Sequence, residues 1–267
     1  MRPLLDFPLD ARRQVTGVLT DIDDTLTTEG RLTAAAYAAL ERLRAAGLRV
    51  IPITGRPAGW CDHLARMWPV DAVVGENGAF WMRHDDRQRK LRTVHVADPA
   101  QRADRRRRLD ELAQRILAEV PVCALASDQF CRIADIAIDF CEDVPPLPPA
   151  AVDRIVQLMQ AAGLVAKISS IHVNGWFGNY DKLSTTRRLL TEEFGVDLDR
   201  PGERERWVFV GDSPNDAPMF DFFPNAVGVA NVLDQRKRLH ALPAWITPSR
   251  AGAGFEELAA ALLAVRG

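Results

Sequence analysis

Lysine is scarce in this chain. Of its 34 basic residues only four are lysine (Lys90, Lys167, Lys182 and Lys237), so a lysine inside a motif stands out. Positive charge in excess is also missing: the formal net charge is -2. Phosphate-backbone binding needs a clear cationic surplus, which argues against nucleic acid as a partner. The run Arg105–Arg108 is a local exception, but it leads into Leu109, Leu112, Ile116 and Leu117 at helical spacing and reads as a solvated helix face. The four cysteines (Cys61, Cys123, Cys131, Cys141) form no CxxC pair, which argues against a zinc site. No signal-peptide pattern is present, so reduced thiols and a cytoplasmic location are the expectation. Charged residues interrupt every apolar run before it reaches membrane-spanning length. No GxGxxG turn follows the first apolar strand, which argues against a dinucleotide-binding enzyme.

What is present is an ordinary globular composition, 47% hydrophobic and 26% charged over 267 residues. Val15 to Thr20 reads as a strand ending in an acidic cluster. Leu32 to Ala46 reads as a helix, Leu48 to Thr54 as a buried strand, Pro57 to about Trp68 as a helix and Ala72 to Val74 as a short strand. That alternation predicts an α/β fold with a parallel, Rossmann-like sheet. The rhythm resumes with a helix over Asp181 to Phe194, a strand over Trp207 to Val210, a short helix near Ala217, a strand over Ala226 to Val229 and a C-terminal helix. Between these halves lie helices near Arg105 to Glu119 and Ala150 to Ala162. Strands near Val122 to Leu125, Ile133 to Phe140 and Val165 to Val173 flank them. The expected organisation is therefore a core domain of residues 1–84 and 178–267 with a smaller α/β domain of residues 85–177 inserted in it.

In a parallel α/β sheet the working groups collect beyond the carboxyl ends of the strands. Four segments occupy such places. In Asp21-Ile22-Asp23-Asp24-Thr25, Asp21 comes first after the strand and suits a carboxylate nucleophile toward phosphorus. Asp23, two residues on, can protonate a leaving alcohol and later deprotonate water. Crowded carboxylates call for a hard divalent cation, and magnesium suits a site with few carboxylates plus substrate oxygens. In Thr54-Gly55-Arg56-Pro57, a hydroxyl and free N–H groups at a helix start make an anion site. Lys182 begins a helix, where a cation is electrostatically misplaced unless an anionic site lies nearby. There it would hold Asp21 and the phosphate together. In Gly211-Asp212-Ser213-Pro214-Asn215-Asp216, Asp212 fits a metal ligand and Asp216 a second or water-mediated one. Asn215 can orient the loop or touch phosphate.

Taken together these segments resemble the ordered motifs of the haloacid dehalogenase superfamily: DxDxT, T-G-R, a lysine and G-D-x-x-N-D. The resemblance covers roughly residues 12 to 83 and 178 to 265. It implies a phosphatase with Asp21 as nucleophile and Asp23 as acid/base, and a metal held by Asp21, Asp212 and the Asp23 carbonyl. Asp24 stands where many relatives have glycine. The insertion between T-G-R and the lysine, preceded by Glu76-Asn77-Gly78-Ala79, resembles the subgroup with an α/β cap (type IIB). That subgroup includes sugar-phosphate phosphatases and phosphomannomutases.

The expected substrate is thus a small phosphorylated metabolite such as a sugar phosphate. A phosphomutase uses the same residues and is the alternative. A non-catalytic phospho-accepting domain places its acidic pair a strand earlier and needs no cap. Carbon–halogen hydrolysis is disfavoured by Asp23. Selectivity is expected in the cap segment Ile168 to Asn174. Read as one alternating strand, it puts Ser170, His172 and Asn174 on a face open to the active site. Ile171 and Val173 then fall on the helix-packed face.

Overall fold

The computed structural model describes residues 1–169 and 171–266. The larger sheet is built on five strands: β1 (Gly17–Thr20), β2 (Arg49–Pro52), β10 (Trp207–Gly211), β11 (Val227–Gly228) and β12 (Trp245–Ile246). Their order is β12-β11-β10-β1-β2, with the pair Arg2–Pro3 outside β12, and every pairing is parallel. A parallel bridge from Ile53 to Val74 then reaches β3 (Val73–Gly75), from which β4 (Phe80–Asp85) and β5 (Lys90–His95) run on antiparallel.

Side chains alternate between the sheet's two faces, and both faces are covered, so the central strands read as unbroken apolar runs. Val18, Val50, Val208 and Val210 point to one face. There they meet α1 (Ala34–Ala45), α2 (Ala58–Met67) and α7 (Ala251–Leu263) through Leu40, Leu43, Leu64, Phe255 and Leu258. Leu19, Ile51 and Phe209 point to the other. There they meet α5 (Lys182–Phe194) and α6 (Ala217–Phe222) through Leu189, Leu190, Met219 and Phe220. Gly17 is required by packing: a Cβ there would lie 2.2 Å from the Trp207 ring on the neighbouring strand.

The smaller sheet is antiparallel, in the order β8 (Val165–Ile168), β9 (His172–Trp176), β7 (Asp135–Asp139), β6 (Ala124–Leu125). On one face α3 (Pro99–Glu119) and α4 (Pro149–Ala161) cover Ile136, Ile138 and Val173 through Leu109, Leu112, Ile116, Ile155, Leu158 and Met159. Helix α3 begins earlier than its apolar periodicity implies, because Pro99 follows Asp98, whose side chain accepts the Gln101 N–H. The register sets Asp139 opposite His172 and Ala137 opposite Asn174, so the second face of this sheet is largely polar. That face looks onto the carboxyl ends of β1 and β2. No helix among the described residues is long and apolar enough to cross a membrane.

The segment Ile168 to Asn174 is a hairpin and not one strand. Ile168 pairs with Val173, and Ser169 Oγ turns the chain by donating to the His172 carbonyl at 3.1 Å and accepting its N–H at 3.0 Å. His172 and Asn174 still share a face, and Val173 still packs on the helices. Ile171 falls in the turn and lines the central cleft, away from the helices. Ser170 lies outside the described residues.

Candidate active site

The order of the larger sheet reverses direction at β1, which puts a crevice at the ends of β1 and β10. Asp21 leaves β1 there, with its N–H still bonded to the Val210 carbonyl at 2.9 Å. Lys182, the first residue of α5, is 2% exposed. Its Nζ donates to Asp21 Oδ1 at 2.8 Å and to Asp216 Oδ1 at 2.7 Å. Its unfavourable position at a helix N-terminus is thus explained by two buried carboxylates.

Asp216 uses its other oxygen to accept the N–H groups of Asp212 and Ser213 at 3.0 and 3.2 Å. Gly211 admits this contact, since a Cβ there would lie 2.4 Å from Asp216 Oδ2. Asp212 accepts Thr25 Oγ1 at 3.2 Å and Asn231 Nδ2 at 3.0 Å. Asn231 also donates to the Asp24 carbonyl at 2.9 Å. Asp24 has φ +55, the left-handed region that favours glycine, which accounts for glycine in related loops. Asn215 Nδ2 reaches Asn77 Oδ1 at 3.3 Å, and its Oδ1 accepts Ser213 Oγ at 2.6 Å.

Oxygens of Asp21, Asp212 and Asp216 lie within 4.8 Å of one another and all three residues are buried. Lys182 is the cation bonded to two of them. Burial, with Asp216 and Asp23 adding to it against the pull of Lys182, raises Asp21 to about 7. Burial, then Asp21 and Asp216, push Asp212 well above the ordinary carboxylate range. Burial works against the Lys182 ammonium, but Asp21 and Asp216 more than reverse that and hold it charged. One ammonium therefore cannot keep three buried carboxylates ionised, and a further cation would be needed to do so.

Thr54 is fully buried and its Oγ1 accepts the Arg56 N–H at 3.0 Å, closing the turn after β2. Arg56 points away from the Asp21 cluster. Its Nε donates to both oxygens of Asp23, at 2.9 and 3.1 Å, and it reaches Asp128 and Glu142 of the smaller sheet's domain. Asp21, Asp23, Gly55, Arg56, His172, Asn174 and Asn215 all line one narrow cleft, with Ser213, Arg132, Ser169 and Ile171. Thr54 sits behind that lining. Asn174 Nδ2 is engaged with Asp135 Oδ2 at 2.9 Å. His172 Nε2 is buried 2.8 Å from Glu142 Oε2.

Residues 18–104 match the model of the family described as haloacid dehalogenase-like hydrolase. That stretch carries both Asp21 and Thr54-Gly55-Arg56. The match covers about a third of the chain, the first part of the core. Solved structures agree on the fold over nearly the whole length. A Thermoplasma acidophilum protein is 20% identical with TM-score 0.68, over 93% of this chain and 98% of that one. A haloalkanoate-superfamily phosphatase from Bacteroides thetaiotaomicron is 18% identical with TM-score 0.61, over 94% and 96%. The sucrose-phosphatase of Synechocystis, solved with sucrose and phosphate, is 16% identical with TM-score 0.62, over 94% and 98%. No curated protein matches the chain. The smaller α/β unit, called the cap below, stands over the cleft and lends it His172 and Asn174.

Several site residues escaped the sequence reading. Thr25 stood inside the first motif but drew no role of its own, and Asn231 follows an apolar strand with no signature. Glu76, which marked the subgroup resemblance but drew no role, is fully buried and accepts N–H groups from Ala58, Ile133, Ala134 and Asp135, tying core to cap. Glu142 and Arg132 belong to the cap and meet the core only through the fold.

Proposed function

We propose that this protein is a magnesium-dependent phosphomonoester hydrolase that works through a phosphoaspartate, acting on a sugar phosphate or similar small metabolite. The observation that carries the reading is the pairing of Asp21 with Lys182 at 2.8 Å, at the floor of a cleft that Asp23 also lines. An Asp21 oxygen attacks phosphorus as the bond to the leaving oxygen breaks, and the Asp23 carboxyl gives that oxygen its proton. In the second half Asp23, now a carboxylate, takes a proton from water as the water oxygen attacks phosphorus. The Asp21–phosphorus bond then breaks to release phosphate. Lys182 fixes Asp21 in the attacking position and offsets its charge, while Thr54, Gly55 and Asn215 receive the phosphoryl oxygens.

The surplus of buried carboxylate fits a hard dication. Asp21 and Asp212 would hold magnesium, together with the Asp23 carbonyl. Asp216 would stand behind them, since its oxygens already serve Lys182 and the loop N–H groups. When bound, the ion supplies positive charge to the phosphoryl oxygens and the nucleophile. Residues 1–84 and 178–267 are assigned the phosphoryl chemistry, and residues 85–177 the reading of the leaving group. His172 supports the latter, because its buried ring lines the cleft and stands 2.8 Å from Glu142. The test is phosphate release from a panel of phosphate esters with magnesium, by wild type and by Asp21→Asn. Loss of several orders of magnitude is expected. A folded variant keeping more than about a tenth of the activity, near 1.4 kcal/mol in barrier, rules out the covalent route.

A further inference from the structure

Asp23, read above as the proton donor, is gripped by Arg56 from the neighbouring strand end. Arg56 in turn is not held by the core alone. Its Nε donates to Asp23, its Nη2 donates to Glu142 Oε1 at 2.9 Å, and its Nη1 donates to Asp128 Oδ2 at 3.4 Å. The flat face of the guanidinium lies 4.4 Å from the centre of the Trp60 ring. The Arg56 side chain is only 6% exposed. A planar fork so placed has one orientation that satisfies all partners. Two of its three carboxylates belong to the cap. Take the cap away and Arg56 keeps only Asp23 and Trp60, with two edges of the fork free.

The cap presents Glu142 by a dedicated turn. Asp139, at the end of β7, accepts the N–H groups of Cys141, Glu142 and Asp143 at 2.9, 2.8 and 2.8 Å. His172 stands 2.8 Å from the other Glu142 oxygen. The carboxylate is therefore built to point at the core.

We propose that Arg56 is a positioning residue that makes the aim of Asp23 depend on a seated cap, with Glu142 as the cap's point of engagement. This rests on the reading of Asp23 as the proton donor. The acid is then correctly aimed only when the cap also excludes water, which ties proton delivery to closure.

The experiment compares kcat/KM of Glu142→Ala, Glu142→Gln and Asp23→Asn on two esters. One is p-nitrophenyl phosphate, whose leaving group needs no proton. The other is an alkyl phosphate, whose leaving group does. Melting curves check that each variant folds. General acid catalysis contributes about 10²–10⁴-fold, so losing its aim is expected to cost Glu142→Ala about tenfold or more on the alkyl ester. On the aryl ester the loss is expected to stay below about threefold. Glu142→Gln keeps an acceptor for Arg56 and falls between wild type and Glu142→Ala. Equal losses on both esters, or none on either, overturn the inference if Asp23→Asn still shows the ester-dependent loss. If Asp23→Asn itself loses equally on both, the reading of Asp23 as the acid fails, and the inference falls with it.

Discussion

Replacing Lys182 by methionine removes one charge from the centre of the site and nearly preserves its volume. In the wild type the ammonium bonds to two of three clustered, buried carboxylates. Removing one partner of a buried ion pair costs about 3–5 kcal/mol, because the charge left behind has neither water nor a counterion. For a chain of this size each kcal/mol moves the melting temperature by about 2–4 °C, so the metal-free variant is expected to melt about 6–20 °C lower. A dication held by Asp21 and Asp212 would stabilise wild type and variant alike. At a concentration of 100 times its dissociation constant it would add about 2.7 kcal/mol to each. Thermal melts of wild type and Lys182→Met, in chelator and across a magnesium titration, test the reasoning. The expected result is a large gap in chelator and a magnesium-dependent rise in the melting temperature of both proteins. A variant that melts within about 3 °C of wild type in chelator refutes the charge balance described here. So does a variant to which magnesium gives nothing.

His172→Ala and Asn174→Ala are expected to raise KM or reorder preference among natural phosphate esters while leaving a generic aryl phosphate nearly untouched. Parallel kcat/KM measurements on both substrate types check this, and equal losses place the residues in folding or in the chemistry. Glu142 gives a pH signature in stability. Its contact with His172, and then the Arg56 charge, hold its carboxyl down at about 2, from an ordinary 4.5. A depressed carboxyl stabilises the fold fully above about pH 4.5, and that contribution is lost as pH falls toward 2. With its side chain 27% exposed, the contribution is about 1–3 kcal/mol. Denaturant melts of wild type and Glu142→Gln are expected to differ fully above about pH 5, by less than half as much at pH 3, and to converge near pH 2.

The core was legible because its chemistry is local. Asp21 and Asp23, Thr54 to Arg56, and Asp212 to Asp216 each follow an apolar strand directly, and a parallel sheet gathers such strand ends into one crevice. Lys182 stood out because a lysine is a poor first residue for a helix. The cap was less legible. Its hairpin at Ser169 looked like one strand, because the alternation of side chains runs on through the turn and the turn residues carry no glycine or proline to mark it. The Arg56 cluster left no pattern at all. Its carboxylates at positions 23, 128 and 142 are far apart in the chain, and only the docking of one sheet's polar face on the other's strand ends unites them. Asn231 was hidden for the same reason: its partners, Asp24 and Asp212, come from two other loops.

Glu76 sets the mechanics of this arrangement. Its carboxylate is fully buried, and it clasps the Ala58 N–H of the core together with those of Ile133, Ala134 and Asp135 from the strand leading into β7. The stretch 133–135 is thereby anchored to the core as well as to its own sheet. A hinge works only where the moving part is thin and its pivot is held fast, and this is the held point. Motion of the cap would turn about it, so displacement would grow with distance and be greatest at the far margin, where the Ser169 turn and the Asp139 turn carry Ile171 and Glu142. The residues that meet the leaving group would thus travel farthest, while the base of the lever keeps its register with the strand ends that do the chemistry.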